Sequence, residues 1–304
     1  MLEAKYLDLQ VNGFGGGDFN SDDLSAEALQ SACALMRKND VAGFLATVIT
    51  DDLPVMLRRI RRIVSLRNQN PLAREMIVGL HVEGPFINGQ KGYVGAHPPD
   101  AVIPANLAAT EQLLAACDGL LKIMTLAPEC DSKLTVTRWL ADRGIVVSGG
   151  HSNADYDTLA AAVDAGLSMY THLGNGCLMD LPRHDNIVQR VLSMAGKIRI
   201  GFIADGAHIP LFALKNYLAA AAIENCFVVS DAMSAAGLGP GVYRLGRREI
   251  AVGEDRVARS PDGSHLVGSA VTLKRSAELL SQIGLSPQQI EQLTVHNPRK
   301  AIGI

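Results

Sequence analysis

Short apolar runs alternate with amphipathic stretches along almost the whole chain, and this rhythm limits the possible folds more than any other feature. Apolar residues recur at helical spacing between the runs, which predicts a helix after each of the first seven. Right-handed crossovers leave few ways to close so many parallel strands, so the sequence predicts a (β/α)8 TIM barrel, with an open doubly wound sheet as the alternative. The predicted strands are Tyr6–Val11, Gly43–Ile49, Met76–Val82, Leu121–Ala127, Ile145–Gly149, Ser168–His172, Ile198–Ala204 and Phe227–Ser230.

Composition narrows the class of protein further. The chain has 304 residues, 48% of them hydrophobic, and no change of composition marks a boundary, so we expect residues 1–304 to form a single barrel domain. A net charge of -3 without a basic block argues against a nucleic-acid or membrane partner and favours a small molecule. Five cysteines without a CxxC pair, and a start without a signal peptide, predict reduced thiols in a cytoplasmic protein.

The third predicted strand runs directly into a carboxylate, Glu83, followed by Gly84 and Pro85. In parallel α/β folds the carboxyl ends of the strands carry ligands and catalysis, although a single carboxylate there is more often part of an ion pair. His151 follows the fifth strand and His172 ends the sixth. One glutamate and two histidines are the set that holds a catalytic zinc ion with an open position, with Fe²⁺ and Co²⁺ as alternatives.

Three more residues near strand ends suit proton transfer or substrate binding. Asp231 follows the eighth strand, where it would take a proton from water and pass it to a leaving amine, or else cap the next turn. His97 and His208 would donate to a developing oxyanion or to a substrate hydroxyl, with a structural role as the alternative. Two other features are expected to be structural rather than functional. The glycine-rich stretch 13–17 is expected to be a turn, and Asp205 is expected to bond its own backbone.

Longer motifs surround these residues, namely His81-Val82-Glu83-Gly84-Pro85-Phe86, Gly95-Ala96-His97, Gly150-His151-Ser152-Asn153, Thr171-His172-Leu173, Ala204-Asp205-Gly206, Ser230-Asp231-Ala232-Met233, Gly268-Ser269-Ala270 and Asn297-Pro298. Taken together and in order, these motifs resemble the N-acetylglucosamine-6-phosphate deacetylase family of the amidohydrolase superfamily. The resemblance implies hydrolysis of the acetamide of an amino sugar to the free amine and acetate. It also implies that Glu83, His151 and His172 bind the metal, that Asp231 is the general base, that His97 polarises the acetyl carbonyl and that His208 holds the sugar or its phosphate.

Strand one ends in Gln10-Val11-Asn12, where many amidohydrolases carry His-x-His for a second metal ion. Amides bind divalent metals less well than imidazoles do, so we expect a single metal ion. The resemblance further implies that Asn175, Gly176 and Arg183 form a phosphate pocket, with the arginine contributed across a homodimer.

The chain departs from the family in two places. Family members usually have a bulky aromatic residue and then Asn-Ala-Met after the strand-six histidine, whereas this chain lacks the aromatic and reads Gly174-Asn175-Gly176-Cys177, which keeps only the asparagine. The small β-sandwich that family members build from both ends of the chain is expected to be absent. The leading hypothesis is a metal-dependent deacetylase of an N-acetylated amino sugar 6-phosphate. The alternatives are an amidohydrolase for another N-acyl or non-phosphorylated substrate, and a non-catalytic sugar-binding barrel.

Overall fold

Eight parallel strands form the central sheet in the computed structural model, which describes residues 5–263 and 265–304. The sheet closes into a barrel through a bridge between Val11 and Ala232, where the Asn12 N–H donates to the Ala232 carbonyl at 2.7 Å. All eight predicted strands are present, and no end differs from the prediction by more than two residues. They are β1 Tyr6–Val11, β4 Val41–Ile49, β5 Ile77–Glu83, β6 Leu121–Leu126, β7 Val146–Gly149, β8 Leu167–Tyr170, β9 Arg199–Ile203 and β10 Cys226–Val229.

Helices cover the outside of the barrel and follow the predicted pattern. They are α1 Ala26–Lys38, α2 Leu53–Gln69, α3 Pro71–Met76, α4 Leu107–Ala116, α5 Thr135–Ala141, α6 Tyr156–Asp164, α7 Ile187–Ser193, α8 Leu211–Ala221, α9 Leu273–Gln282, α10 Pro287–Glu291 and α11 Asn297–Ala301, with a π-helical turn at Gln292–His296. Ser25 and Asp155 accept backbone N–H groups at the starts of α1 and α6, at 3.1 and 2.8 Å. The sequence prediction missed α3, although Asn70 caps it and Pro71 occupies its first position, which is a recognised helix start.

Two small antiparallel sheets lie beside the barrel in the described part of the chain. The glycine-rich stretch forms the hairpin of β2 (Gly13–Phe14) and β3 (Gly17–Asp18), which confirms that it is a turn. A second hairpin lies after the eighth strand of the barrel. It consists of β11 (Gly241–Leu245) and β12 (Arg248–Val252), extended by a third strand, β13 (Ala258–Arg259).

Side chains inside the barrel are layered because alternate residues of a strand point to the same face. One layer is apolar and forms a separate cluster that includes Leu45, Ile123 and Met169. The residues two positions further along several strands form a layer of hydrogen-bonded polar groups. In this layer the Thr125 hydroxyl lies 2.7 Å from both His81 Nε2 and the Thr171 hydroxyl, which in turn lies 2.7 Å from Ser148 Oγ.

The polar layer determines where the residues that follow it, Glu83 and His172, lie along the barrel axis. Glu83 is two residues beyond His81 on β5, and His172 directly follows Thr171. Since every hydroxyl in the layer is paired, it fixes the strand ends against one another without leaving buried polar atoms unsatisfied. The rigid part of the barrel therefore lies immediately beneath the candidate ligands.

Candidate active site

Glu83, His151, His172 and Asp231 meet at the carboxyl end of the barrel, and all four are at most 8% exposed. Three of them have a left-handed backbone, with φ of 50° at His151, 32° at His172 and 50° at Asp231. Such a conformation costs a non-glycine residue roughly 1–3 kcal/mol and tends to persist at functional sites. Each of these residues lies just beyond the end of its strand, at the candidate site.

Gly84 follows Glu83 and has φ of +85°, so the chain turns sharply after this carboxylate too. A Cβ atom at this position would lie only 2.1 Å from Thr50 Oγ1. Glycine is therefore required twice over, for its backbone angle and for the close approach of the β4 end.

The Glu83 carboxylate is the centre of the site. Its Oε1 lies 2.9 Å from His172 Nε2, 3.3 Å from His151 Nε2 and 3.0 Å from Gln10 Nε2. Burial raises the pKa of Glu83, but the hydrogen bond and charge of His172, together with the other imidazoles around the carboxylate, outweigh this and hold the pKa well below its usual range. The carboxylate is thus ionised and faces several nitrogen atoms.

His151 shows that this group suits a cation. Its Nδ1 lies 2.7 Å from the Tyr93 carbonyl oxygen, and because a carbonyl only accepts, Nδ1 carries the proton. In the neutral ring, Nε2 then points a lone pair towards the Glu83 carboxylate, and this nitrogen has no hydrogen-bond partner among residues 5–263 and 265–304. His151 Nε2 and the Glu83 carboxylate oxygen are two electron-rich atoms that face each other in a buried site, and a metal ion between them would bind both. The Tyr93 carbonyl orients the imidazole by a hydrogen bond, as the second-layer partners of metal-binding histidines commonly do.

His172 completes the predicted ligand set. Its Nδ1 is also buried and unpartnered within the described residues, while its Nε2 bonds Glu83. Burial lowers the pKa of His172, but the Glu83 hydrogen bond and charge raise it above the usual value. Its assignment as a metal ligand remains a prediction.

His97 lies close to the carboxylate as well, with Nε2 3.8 Å from Glu83 Oε2. Glu83, His97 and His151 each place a ligand atom within 4.8 Å of the other two, so distance alone would also allow His97 to bind metal. The Thr50 backbone N–H, however, donates to His97 Nδ1 at 3.3 Å, which leaves the proton of the neutral ring on Nε2. Burial, and then the neighbouring His151, lower the pKa of His97 to about 3, so the ring is a neutral donor.

Asp231 lies across the mouth from Glu83, and Asn12 donates to its Oδ1 at 2.7 Å. Burial, followed by the Glu83 charge, raises the pKa of Asp231 to about 6. A carboxylate with a pKa near neutrality can both accept and return a proton, as a general base must.

The residues predicted to bind substrate lie in two neighbouring loops. Asn175 donates to the His172 carbonyl at 3.2 Å, and a Cβ atom on Gly176 would lie 2.7 Å from His151 Nδ1. The Nδ1 of His208 bonds Asp205 at 2.7 Å, and Asp205 also accepts two backbone N–H groups of its own turn, which confirms the expected local bonding. Arg183 is exposed, and no hydrogen bond or ion pair joins it to the other site residues in the part of the chain that the structure describes.

Sequence reasoning missed several residues that shape the site, namely Thr50, Tyr93 and the hydrogen-bonding roles of Gln10 and Asn12. The sequence pattern could have identified Thr50, because this residue follows the apolar run of the second strand just as Glu83 follows that of the third. Tyr93 acts through its backbone carbonyl, which leaves no trace in the residue type.

Comparisons with known proteins show which family the chain belongs to. No family model matches the chain. The chain is 30% identical to N-acetylglucosamine-6-phosphate deacetylase of Bacillus subtilis over 302 residues, which cover 98% of this chain and 74% of that protein. The chain belongs to the N-acetylglucosamine-6-phosphate deacetylase family.

Other relatives support the family and vary in the sugar that they are named for. An N-acetylgalactosamine-6-phosphate deacetylase of Shewanella is 31% identical, across 99% of this chain and 74% of its own length. The bovine N-acetylglucosamine-6-phosphate deacetylase is 35% identical, but the match covers 83% of this chain and 62% of the bovine protein.

A solved structure of a mutant of the Mycobacterium smegmatis deacetylase, with N-acetyl-D-glucosamine-6-phosphate bound, superposes with a TM-score of 0.89. It is 27% identical, and the match covers 99% of this chain and 78% of that one. The barrel of this family member is thereby confirmed. None of its described helices has the length and apolarity needed to cross a membrane.

Proposed function

We propose that this protein hydrolyses the acetamide of N-acetylglucosamine 6-phosphate to the free amine and acetate, with one divalent metal ion, Zn²⁺ in the first instance, held by Glu83, His151 and His172. The observation that carries the proposal is the buried His151 Nε2, which has no hydrogen-bond partner among the described residues and lies 3.3 Å from the buried Glu83 carboxylate. A bound divalent ion with an open position acidifies water and polarises a carbonyl. The residues around it would transfer the proton, stabilise the developing oxyanion and bind the sugar, as described below.

Asp231 is the general base of the proposed reaction. It takes a proton from the attacking water and delivers it to the nitrogen of the breaking C–N bond, so that the sugar leaves as a neutral amine. The Asn12 hydrogen bond fixes Oδ1 of Asp231, which leaves Oδ2 for the proton transfer. Acid and base steps by one carboxylate need a pKa near the working pH, and the pKa of about 6 meets that need.

His97 donates its Nε2–H to the acetyl oxygen as negative charge develops there. A donor that is neutral, buried and already oriented by Thr50 needs little reorganisation in the transition state, where such a bond gives most of its benefit. Because the pKa of about 3 keeps the ring neutral, His97 stabilises the oxyanion by a hydrogen bond rather than by a full charge.

The substrate class rests on the relatives. We propose that Asn175, Gly176, His208 and Arg183 bind the sugar phosphate, with Arg183 acting across a homodimer because it is exposed on its own chain. Five free thiols support a cytoplasmic location. N-acetylgalactosamine 6-phosphate is the second candidate substrate, favoured by the Shewanella relative.

Acetate release from four sugars tests the proposal: N-acetylglucosamine and N-acetylgalactosamine, each with and without the 6-phosphate. We expect release from a 6-phosphate, a loss of at least about 100-fold in Glu83→Gln and Asp231→Asn, and a raised KM in Arg183→Ala. Unchanged release by both carboxylate variants would refute the mechanism. Equal kcat/KM for phosphorylated and free sugars would instead refute the phosphate pocket.

A further inference from the structure

Arg247, at the turn between β11 and β12, bonds two separate segments at the barrel mouth. Its guanidinium contacts Asp51, lies 2.7 Å from Asp52 Oδ2 and reaches Asp100 Oδ2 at 3.1 Å. Asp51 and Asp52 follow β4, whereas Asp100 belongs to the loop after β5. One side chain, 38% exposed, thus joins the ends of two barrel segments and the small sheet.

These two segments are the ones that orient His97. Thr50, which precedes Asp51, contacts His97 Nδ1 through its hydroxyl at 2.8 Å and through its N–H at 3.3 Å. Asp100 lies three residues after His97 on the same loop. The next residue of the hairpin, Arg248, donates to the His97 carbonyl at 3.4 Å. The guanidinium of Arg247 therefore holds the segment that orients the ring to the segment that carries it.

The bond to Asp51 is the strong part of this connection. Exposed ion pairs contribute little, but Asp51 is only 2% exposed, and its other oxygen accepts from Arg59 of α2 at 2.8 Å. Burial raises the pKa of Asp51, but the hydrogen bonds from Arg247 and the Asp52 N–H, together with the charges of Arg59 and Arg247, outweigh this, so the pKa is lowered. Truncation of Arg247 would leave a buried carboxylate with one partner fewer, and the contact with Asp100 would be lost at the same time.

We propose that Arg247 is a positioning residue for His97: by bonding Asp51 and Asp100 together, it keeps the His97 ring hydrogen-bonded to Thr50 and its Nε2–H aimed at the acetyl oxygen. This inference rests on the role of His97 in the proposed function. The ion-pair partners of Arg247 are Asp51, Asp52 and Asp100, and none of them is a residue assigned to the substrate or the metal. Its effect is therefore on kcat through His97, rather than on substrate binding.

A double-mutant cycle of Arg247→Ala and His97→Asn tests the coupling, with acetate release as the assay. We expect Arg247→Ala to lower kcat about tenfold with less than about a threefold change in KM, and to cause no further loss in the His97→Asn background. Arg247→Lys should recover part of kcat. The matched control is Arg259→Ala, which removes an ion pair with Asp255 from a side chain that is 39% exposed on the same small sheet, and it should leave kcat unchanged.

Asp100→Asn replaces Arg247→Ala in this test if Arg247→Ala folds poorly. Asp100 is 70% exposed, and loss of its carboxylate removes only the ion pair between Arg247 and the His97 loop. It should lower kcat in the same direction and by a smaller factor. Losses that multiply in the double mutant, or a wild-type kcat in both Arg247→Ala and Asp100→Asn, would overturn the inference. A wild-type protein that releases no acetate would instead count against the proposed function.

A crystal structure of Arg247→Ala, or of Asp100→Asn, tests the inference without any activity. The His97 Nδ1 to Thr50 Oγ1 distance should exceed hydrogen-bond range in the variant. An unchanged 2.8 Å contact would show that Arg247 does not hold the ring.

Discussion

Replacement of Asp8 by asparagine should remove a large pH dependence from the stability of the barrel. Asp8 lies at the seam between β1 and β10, which is closed by one bridge rather than a full ladder, and its carboxylate accepts the N–H groups of Ser230 at 3.1 Å and Gln10 at 3.3 Å. The side chain is 1% exposed, and no ion pair to it is found in the described part of the chain. Burial raises the pKa of Asp8 from 3.8 to about 7.

The sign and size of the effect follow from that shift. A carboxyl whose pKa is higher in the folded protein stabilises the fold below its unfolded pKa, and this stabilisation is lost as the pH rises through the folded pKa. Between about pH 5 and pH 8 the native state loses a proton that the unfolded chain has already lost. With about 1.4 kcal/mol per pKa unit, this amounts to a fall of about 3 kcal/mol in the free energy of unfolding.

Urea unfolding at about pH 5 and about pH 8 measures this change in the wild type and in Asp8→Asn. Asparagine keeps the acceptor oxygen and carries no charge, so the variant should lack that fall and should be more stable than the wild type at the higher pH. Asp157→Asn, an exposed carboxylate, is the control and should follow the wild type. The same pH-dependent change in Asp8→Asn as in the wild type would refute the reasoning.

Three further outcomes are expected. Gly84→Ala places a Cβ atom 2.1 Å from Thr50 Oγ1 at φ of +85°, so it should lower the free energy of unfolding by roughly 2–4 kcal/mol, measured by thermal or urea unfolding. Gly239→Ala is the control, and because open space surrounds that position it should cost under about 1 kcal/mol. Equal costs would contradict the packing argument. Asn12→Ala should lower kcat roughly 10- to 100-fold with metal content unchanged, because the Asp231 carboxylate loses its hydrogen bond from Asn12. A wild-type kcat in this variant would show that Asp231 does not need that hydrogen bond. Removal of metal should abolish acetate release while the far-UV circular dichroism is retained, and a loss of secondary structure would point to a structural ion instead.

The fold could be predicted from the sequence because its signal is local. Runs such as Met76–Val82 are buried on both faces and therefore read as continuous apolar stretches, and glycines and caps mark their ends. The ligand candidates followed from one further rule, that the carboxyl ends of the strands share one mouth. This is why Glu83 and His151 could be paired although they are far apart in the chain.

The remainder of the site depends on contacts that the sequence does not encode locally. Arg247 bonds Asp51 across 196 positions, and nothing in the hairpin sequence indicates which end of it faces the barrel. The left-handed backbone of His172, with φ of 32°, is not indicated by its residue type. Similarly, Tyr93 holds His151 through a carbonyl group that any residue would supply.

Titration of metal-free protein with a divalent ion tests the central claim most directly, with the rate of acetate release from N-acetylglucosamine 6-phosphate followed at each addition. The account predicts no release without metal, and a rate that rises linearly to a plateau at one ion per chain. Full release by the metal-free protein, or a plateau at two ions per chain, would contradict a single metal centre at Glu83, His151 and His172.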